Sequence, residues 1–239
     1  MKLLSPASAN VKMAKNSQFA SYLSAILHLS PSDVSGYNTC PAASPGCKLA
    51  CLNTAGRGRF NNVQQARIRK TRLLFTDKAK FMALLIGDLN KLAAKAKKAN
   101  KLAVVRLNGT SDIEWENLTI PGSTGINIFQ LFPDIKFYDY TKLAKRLTNN
   151  LPKNYSLTFS MSEVNEVLSK RVLALGHNVA VVFKDKLPPN YLGKEVIDGT
   201  THDFRFKDKK NVVVGLLAKG KAKKDLSGFV KVISNYADK

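Results

Sequence analysis

All three cysteines of the chain fall within twelve residues, Cys40-Pro-Ala-Ala-Ser-Pro-Gly-Cys47-Lys-Leu-Ala-Cys51. Three random placements would do this about one time in a hundred, so the grouping calls for a chemical reason. Pro41, Pro45 and Gly46 make a turning loop able to wrap thiolates around a compact inorganic core. Cys47 and Cys51 stand four apart, so one helical turn would aim both sulfurs at the same side. Three arrangements compete. A disulfide with a spare thiol is disfavoured by the odd cysteine count in a chain expected to stay in the cytoplasm. A zinc ion needs four ligands; His28, His177 or His202 could supply the fourth, although none stands at metal-ligand spacing to the cysteines. An iron–sulfur cluster on three thiolates suits the pattern best, because its remaining iron stays open to an exogenous ligand.

Charge suggests the partner. The 239 residues carry 38 Lys and Arg against 17 Asp and Glu, a net charge of +21, on a chain that is 44% hydrophobic. Such a chain folds, and its positive field attracts polyanions. Arg57, Arg59, Arg67, Arg69, Lys70 and Arg72 lie in one stretch with Phe60, where guanidinium groups could fork onto phosphates and stack on bases. Lysine groups at Lys95, Lys97, Lys98 and Lys101, and at Lys219, Lys221, Lys223 and Lys224, read equally well as solvated faces. No apolar run approaches the ~18 residues of a membrane span, and the start Met1-Lys2-Leu3-Leu4-Ser5-Pro6 is too short for a secretory signal. A cytoplasmic protein without a membrane partner is therefore expected.

The elements that must position these residues alternate. Residues 62–100 carry apolar side chains at helical spacing, as one helix or as two with a restart at Asp77. Short β-rich runs follow at Leu102–Leu107, Lys136–Tyr140, Ser156–Met161, Val179–Phe183 and Val212–Leu217. Helical stretches are expected at 141–149 and 162–175, while 19–28 is ambiguous between helix and strand. His202, Phe204 and Phe206 alternate as on one buried strand face. No linker or repeat divides the chain. The expectation is a single α/β domain over 1–239, an incomplete (β/α) barrel of about six parallel strands, with the cysteine loop at 38–58. An open doubly wound parallel sheet is the alternative.

In either architecture, functional groups gather where strands end. This singles out Asn108, Ser111 and Asp112 after one strand, Asp139, Tyr140 and Lys142 after the next, and Ser160 and Ser162 after the third. Lys142 could meet a phosphate or carboxylate, and Tyr140 could donate a proton or hydrogen atom. Ordinary strand-end packing explains the same residues. Arg106 inside a strand implies either an ion pair across the barrel or a bound ligand.

Cys40–Cys51 with Asn53-Thr-Ala-Gly-Arg-Gly58, Arg106–Asp112, Phe137–Lys142, Val196–Asp203 and Leu217–Gly220 resemble a phage-encoded family known as gene product 88-like. More distantly, the Ser44–Cys47 loop and the strand-ending segments are similar to radical-SAM enzymes. That likeness implies a partial (β/α)6 barrel, a [4Fe-4S] cluster on Cys40, Cys47 and Cys51, and S-adenosylmethionine on the open iron. The spacing C-x6-C-x3-C differs from the superfamily's C-x3-C-x2-C. Ala50 replaces the usual aromatic, and Asn108–Asp112 stands where a Gly-Gly-Glu binds the methionine amine. If the gene is phage-borne, the compartment is the host cytoplasm. The expected function is an iron–sulfur enzyme of radical-SAM-like architecture acting on nucleic acid or another polyanion. The alternative is a non-enzymatic basic nucleic-acid-binding protein with a structural iron–sulfur or zinc site.

Overall fold

The computed structural model describes residues 1–6, 20–147 and 151–233. Nine strands form one sheet in the order β1-β2-β3-β4-β5-β6-β9-β8-β7. They are β1 (Leu4–Pro6), β2 (Tyr22–Leu27), β3 (Leu102–Arg106), β4 (Lys136–Thr141), β5 (Tyr155–Ser160), β6 (Val179–Phe183), β7 (Asn190–Tyr191), β8 (Lys194–Asp198) and β9 (Val213–Leu217). From β2 through β6, β9 and β8 every pairing is parallel; β1 and β7 join antiparallel at the two edges. The sheet is open, so the expected six-stranded barrel is replaced by a longer, mostly parallel sheet with free edges. Its central order advances steadily from β2 to β6, without the reversal beside the first strand that marks a doubly wound sheet.

The runs Leu102–Arg106 and Val179–Phe183 are strands because continuous β-branched residues suit a sheet buried on both faces. The ambiguous segment 19–28 resolves as β2, with Phe19 outside the described residues. Among the described residues five α-helices accompany the sheet: α1 (Pro45–Leu49), α2 (Asn61–Thr76), α3 (Lys78–Lys98), α4 (Ile128–Leu131) and α5 (Glu166–Ala174). Asp77 divides α2 from α3 as expected: its carboxylate accepts the Lys80 amide at 2.9 Å and caps the second helix. Phe81, Leu85 and Leu89 of α3 lie one turn apart on one face and pack onto Leu27, Val105 and Phe137. Val172 and Leu173 of α5 cover Phe159, Val179 and Val181 in a second core.

The expected helix at 141–149 contracts to a 3-10 turn, Ala144–Leu147, and 148–149 lie outside the described residues. Residues 202–206 are not a strand. They form a loop with a 3-10 turn, Arg205–Lys207, and its Phe204 and Phe206 lie against Tyr22 and Tyr138 on the sheet face away from α3. Alternation misled here because two aromatics clamped on a sheet give the same spacing as a strand.

Replacing the exposed cap, Asp77→Ala, is expected to cost about 1 kcal/mol, read as a lower urea midpoint with an unchanged denaturant slope.

Candidate metal centre at the strand ends

Parallel strands place their carboxyl ends along one edge, and the cysteine loop leaves β2 and folds over that edge. Ser44 caps α1 by accepting the Cys47 amide at 3.2 Å and donates its own hydroxyl to Glu163 at 2.7 Å. Glu163, just beyond β5, also accepts the Gly46 amide at 2.7 Å. Gly46 permits this approach: a Cβ there would meet the Glu163 carboxylate at 2.8 Å and collide with the Ser227 hydroxyl. On the other flank, Asp112 donates its amide to the Thr39 carbonyl at 2.8 Å, and Thr110 donates its hydroxyl to the Leu29 carbonyl at 2.6 Å. The loop is thereby fastened to the ends of both β3 and β5.

The three thiols are free and half-buried. Cys40 Sγ accepts the Ser32 amide at 3.4 Å and lies 3.8 Å from the Thr110 carbonyl. Helix α1 stops at Leu49, so Cys51 is not one helical turn beyond Cys47; it caps the 3-10 turn Leu52–Thr54, its sulfur accepting the Asn53 amide at 3.5 Å. Burial pushes the Cys51 thiol up to about 11, and negative charge on Cys47 and Cys40 pushes in the same direction. Cys40 is raised chiefly by burial too, with smaller contributions from Asp112 and Cys47. Among the described residues, no three His, Cys, Asp or Glu side chains are placed to hold a single metal ion, as zinc with Zn–S bonds of about 2.3 Å would require.

Arg67 lies beside this group. It is only 9% exposed, its Nη1 donates to Asn53 Oδ1, and its Nε has no partner among the described residues. No carboxylate ion-pairs with it among the described residues; the titratable group that acts on it is Cys51, which is neutral as a thiol and would offset the guanidinium only as a thiolate. Burial draws the guanidinium below its ordinary value, yet it stays charged at neutral pH. His28, at the end of β2, is brought down to about 3 by burial and then by Arg67, Arg106 and Lys70. The inner side of the loop thus carries excess positive charge.

The arginine-rich stretch divides. Arg57, Arg59, Arg69 and Arg72 are exposed, and Arg59 lies 5.6 Å from the Phe60 ring centre. Arg67 and Lys70 turn inward, Lys70 Nζ donating to the Leu3 carbonyl at 2.7 Å, so a phosphate on the surface would not reach them.

The strand-end residues form a mostly buried network. Asn108 donates its amide to Asp139 Oδ1 at 2.7 Å, and its side-chain oxygen accepts from Ser111, Ile113 and Trp115. Tyr155 links Asp139 to Arg146, which pairs with Asp112 and Glu116 at 2.7 Å each. Asn108, Asp112 and Asp139 are therefore engaged within the protein. Arg106 sits 4.7 Å from the Tyr140 ring centre and 4.0 Å from Asp203, a partner supplied by the 202–206 loop instead of a facing strand. Burial raises Tyr140 to about 12, which keeps its phenol protonated. Lys142 Nζ donates to Ser160 Oγ at 2.6 Å, lies 5.4 Å from the Phe229 ring centre and has no ion-pairing carboxylate among the described residues. The Ser162 hydroxyl is buried without a partner among the described residues. Glu163 and Arg146 escaped sequence reasoning; only Glu163's place just after a strand hinted at a role.

Burial raises the Asp139 carboxyl to about 7, against opposing contributions from Arg106 and the Asn108 amide. A raised folded value means that the proton is held more tightly in the native state. The resulting stability is present below about pH 4 and lost as the pH rises towards 7. The difference in urea midpoint between wild type and Asp139→Asn should therefore shift in favour of the variant between pH 5 and pH 8. A difference independent of pH would contradict this assignment. At the loop, Gly46→Ala should displace Glu163 and lower the melting temperature by several degrees, whereas Glu163→Gln, which keeps the shape, should cost less.

Neither the curated proteins nor the solved structures contain a match to this chain. The profile described as gene product 88 matches residues 2–232, spanning the whole sheet and the cysteine loop, and the chain belongs to the gene product 88 family.

Proposed function

We propose that the chain is an iron–sulfur protein in which Cys40, Cys47 and Cys51 hold a [4Fe-4S] cluster with one iron open, and that it acts on nucleic acid or a similar polyanion. The observation that carries this reading is Arg67, a buried guanidinium with an unpartnered Nε beside a thiol that becomes negative on metal binding. A buried cation without a counter-charge is costly, and thiolates carrying a metal centre would supply that charge. Spacing supports a cluster over zinc, since a multi-iron core attaches its thiolates to separate metal atoms and needs no single-ion geometry. Such a cluster, when bound, supplies one-electron chemistry and an iron site for an exogenous ligand; S-adenosylmethionine is the ligand suggested by the radical-SAM likeness.

The chain's own residues have definable tasks. The Ser32 and Asn53 amides donate to the sulfurs of Cys40 and Cys51, which stabilises thiolate. Glu163 holds the turn carrying Cys47. The Lys142 ammonium, poised on Ser160, is the cation best placed at the strand edge for a ligand's carboxylate or phosphate. The engagement of Asn108, Asp112 and Asp139 in the protein's own network favours a second reading, a binding protein whose cluster is structural.

Anaerobically reconstituted protein should be brown, absorb near ~400 nm and contain about four iron atoms per chain. Replacing any one of Cys40, Cys47 or Cys51 by Ala should abolish that colour. Arg67→Gln should weaken iron retention against a chelator by about tenfold or more, while Arg67→Lys should retain most of it. A colourless protein, or one loaded with stoichiometric zinc, overturns the cluster. A brown protein that yields no 5′-deoxyadenosine from S-adenosylmethionine and reductant decides for the binding protein.

A further inference from the structure

Two cationic segments far apart in sequence meet beside the cysteine loop. The 3-10 turn Gly220–Lys224 packs against the loop so closely that a Cβ on Gly220 would touch Ala55 at 3.0 Å. Gly220 also has φ +57, so the position suits glycine on both counts. The contact sets exposed Lys221, Lys223 and Lys224 next to the turn carrying exposed Arg57 and Arg59. Between α1 and the Gly220–Lys224 turn lies an open groove of about 670 Å³, lined by Leu49, Ala50, Lys221, Lys224, Leu226 and Ser227 among others. Its apolar residues are bare: Leu226 is 97% and Leu49 is 68% exposed. The acidic residue in the lining, Asp225, is held below the usual carboxylate range by hydrogen bonds and accepts the Val230 and Ser227 amides, so it braces the turn.

We infer that this groove binds single-stranded nucleic acid, with the phosphates on Lys221, Lys224, Arg57 and Arg59 and unstacked bases against Leu226 and Leu49. Lysines would suit any polyanion. Bare apolar side chains set among them suit one that presents flat apolar faces between its phosphates, and a duplex hides those faces in its stack. A concavity of this size is also within the range that admits a small organic group. Because Leu49 and Ala50 belong to the segment between Cys47 and Cys51, a strand in the groove would pass along the outer side of the proposed metal centre. The inference rests on the polyanion part of the proposed function and not on the metal.

The test is fluorescence anisotropy with a labelled mixed-sequence DNA oligonucleotide, single-stranded and as its duplex, over a range of salt. Measurements are made on the protein as purified and again after chelation, so failure of the metal reading and failure of the groove are seen separately. Lys221→Gln/Lys224→Gln should weaken single-strand binding about tenfold at low salt and reduce the log–log salt slope by about 1.4. Leu226→Ser should weaken it about threefold without changing the slope. Lys95→Gln/Lys97→Gln removes the same charge from the end of α3, at the opposite edge of the sheet, and should leave the affinity within twofold of wild type. Equal losses in the two double variants, equal affinity for duplex, or unchanged binding by Leu226→Ser would overturn the inference.

Discussion

Seven strands running the same way bring seven carboxyl ends to one rim, and the chemistry-bearing residues depend on that constraint. Parallel pairing forces each connection to return across the sheet, so turns that begin at the rim are the ones free to diverge from a packed helix. The longest of them, from β2 to α2, contains all three cysteines. It is held by hydrogen bonds to the starts of its neighbours, the turns after β3 and β5. Side chains separated by more than a hundred residues, such as Ser44 and Glu163, thus become partners.

Charge inside the fold is distributed unevenly. Arg146 is fully countered: Asp112 and Glu116 pair with it, and Tyr155 connects it to Asp139. Around Arg67 the positive groups outnumber the negative ones, and the imidazole of His28 is forced neutral. A balanced network rigidifies the strand ends; an unbalanced one leaves the interior receptive to an anion.

Much of the frame was legible in sequence. Continuous β-branched runs marked β3, β6 and β9, and the capping carboxylate of Asp77 marked the restart between α2 and α3, because both signals are local. The short edge strands, and the covering of Tyr138 by Phe204, were not legible, since each depends on pairing with residues far along the chain. An open sheet stood in the sequence only as the alternative to a barrel, because closure depends on how many strands join, and β7 and β8 carry no strong periodic pattern. At the site, the grouping of cysteines was visible, whereas the inward turn of Arg67 and Lys70 was not. A run of arginines reads alike whether a side chain faces solvent or a thiol.

The strap formed by residues 218–230 also imposes an order of events. It closes a small apolar core with Ala50 and Cys47, yet it is synthesised about 165 residues after Ala55, against which its glycine rests. At ribosomal speeds that separation corresponds to roughly ten to thirty seconds. Throughout this interval the nascent thiols lack their cover, at once most vulnerable to oxidants and most accessible to a metal donor. Docking of the tail then seals whatever chemistry the loop has acquired.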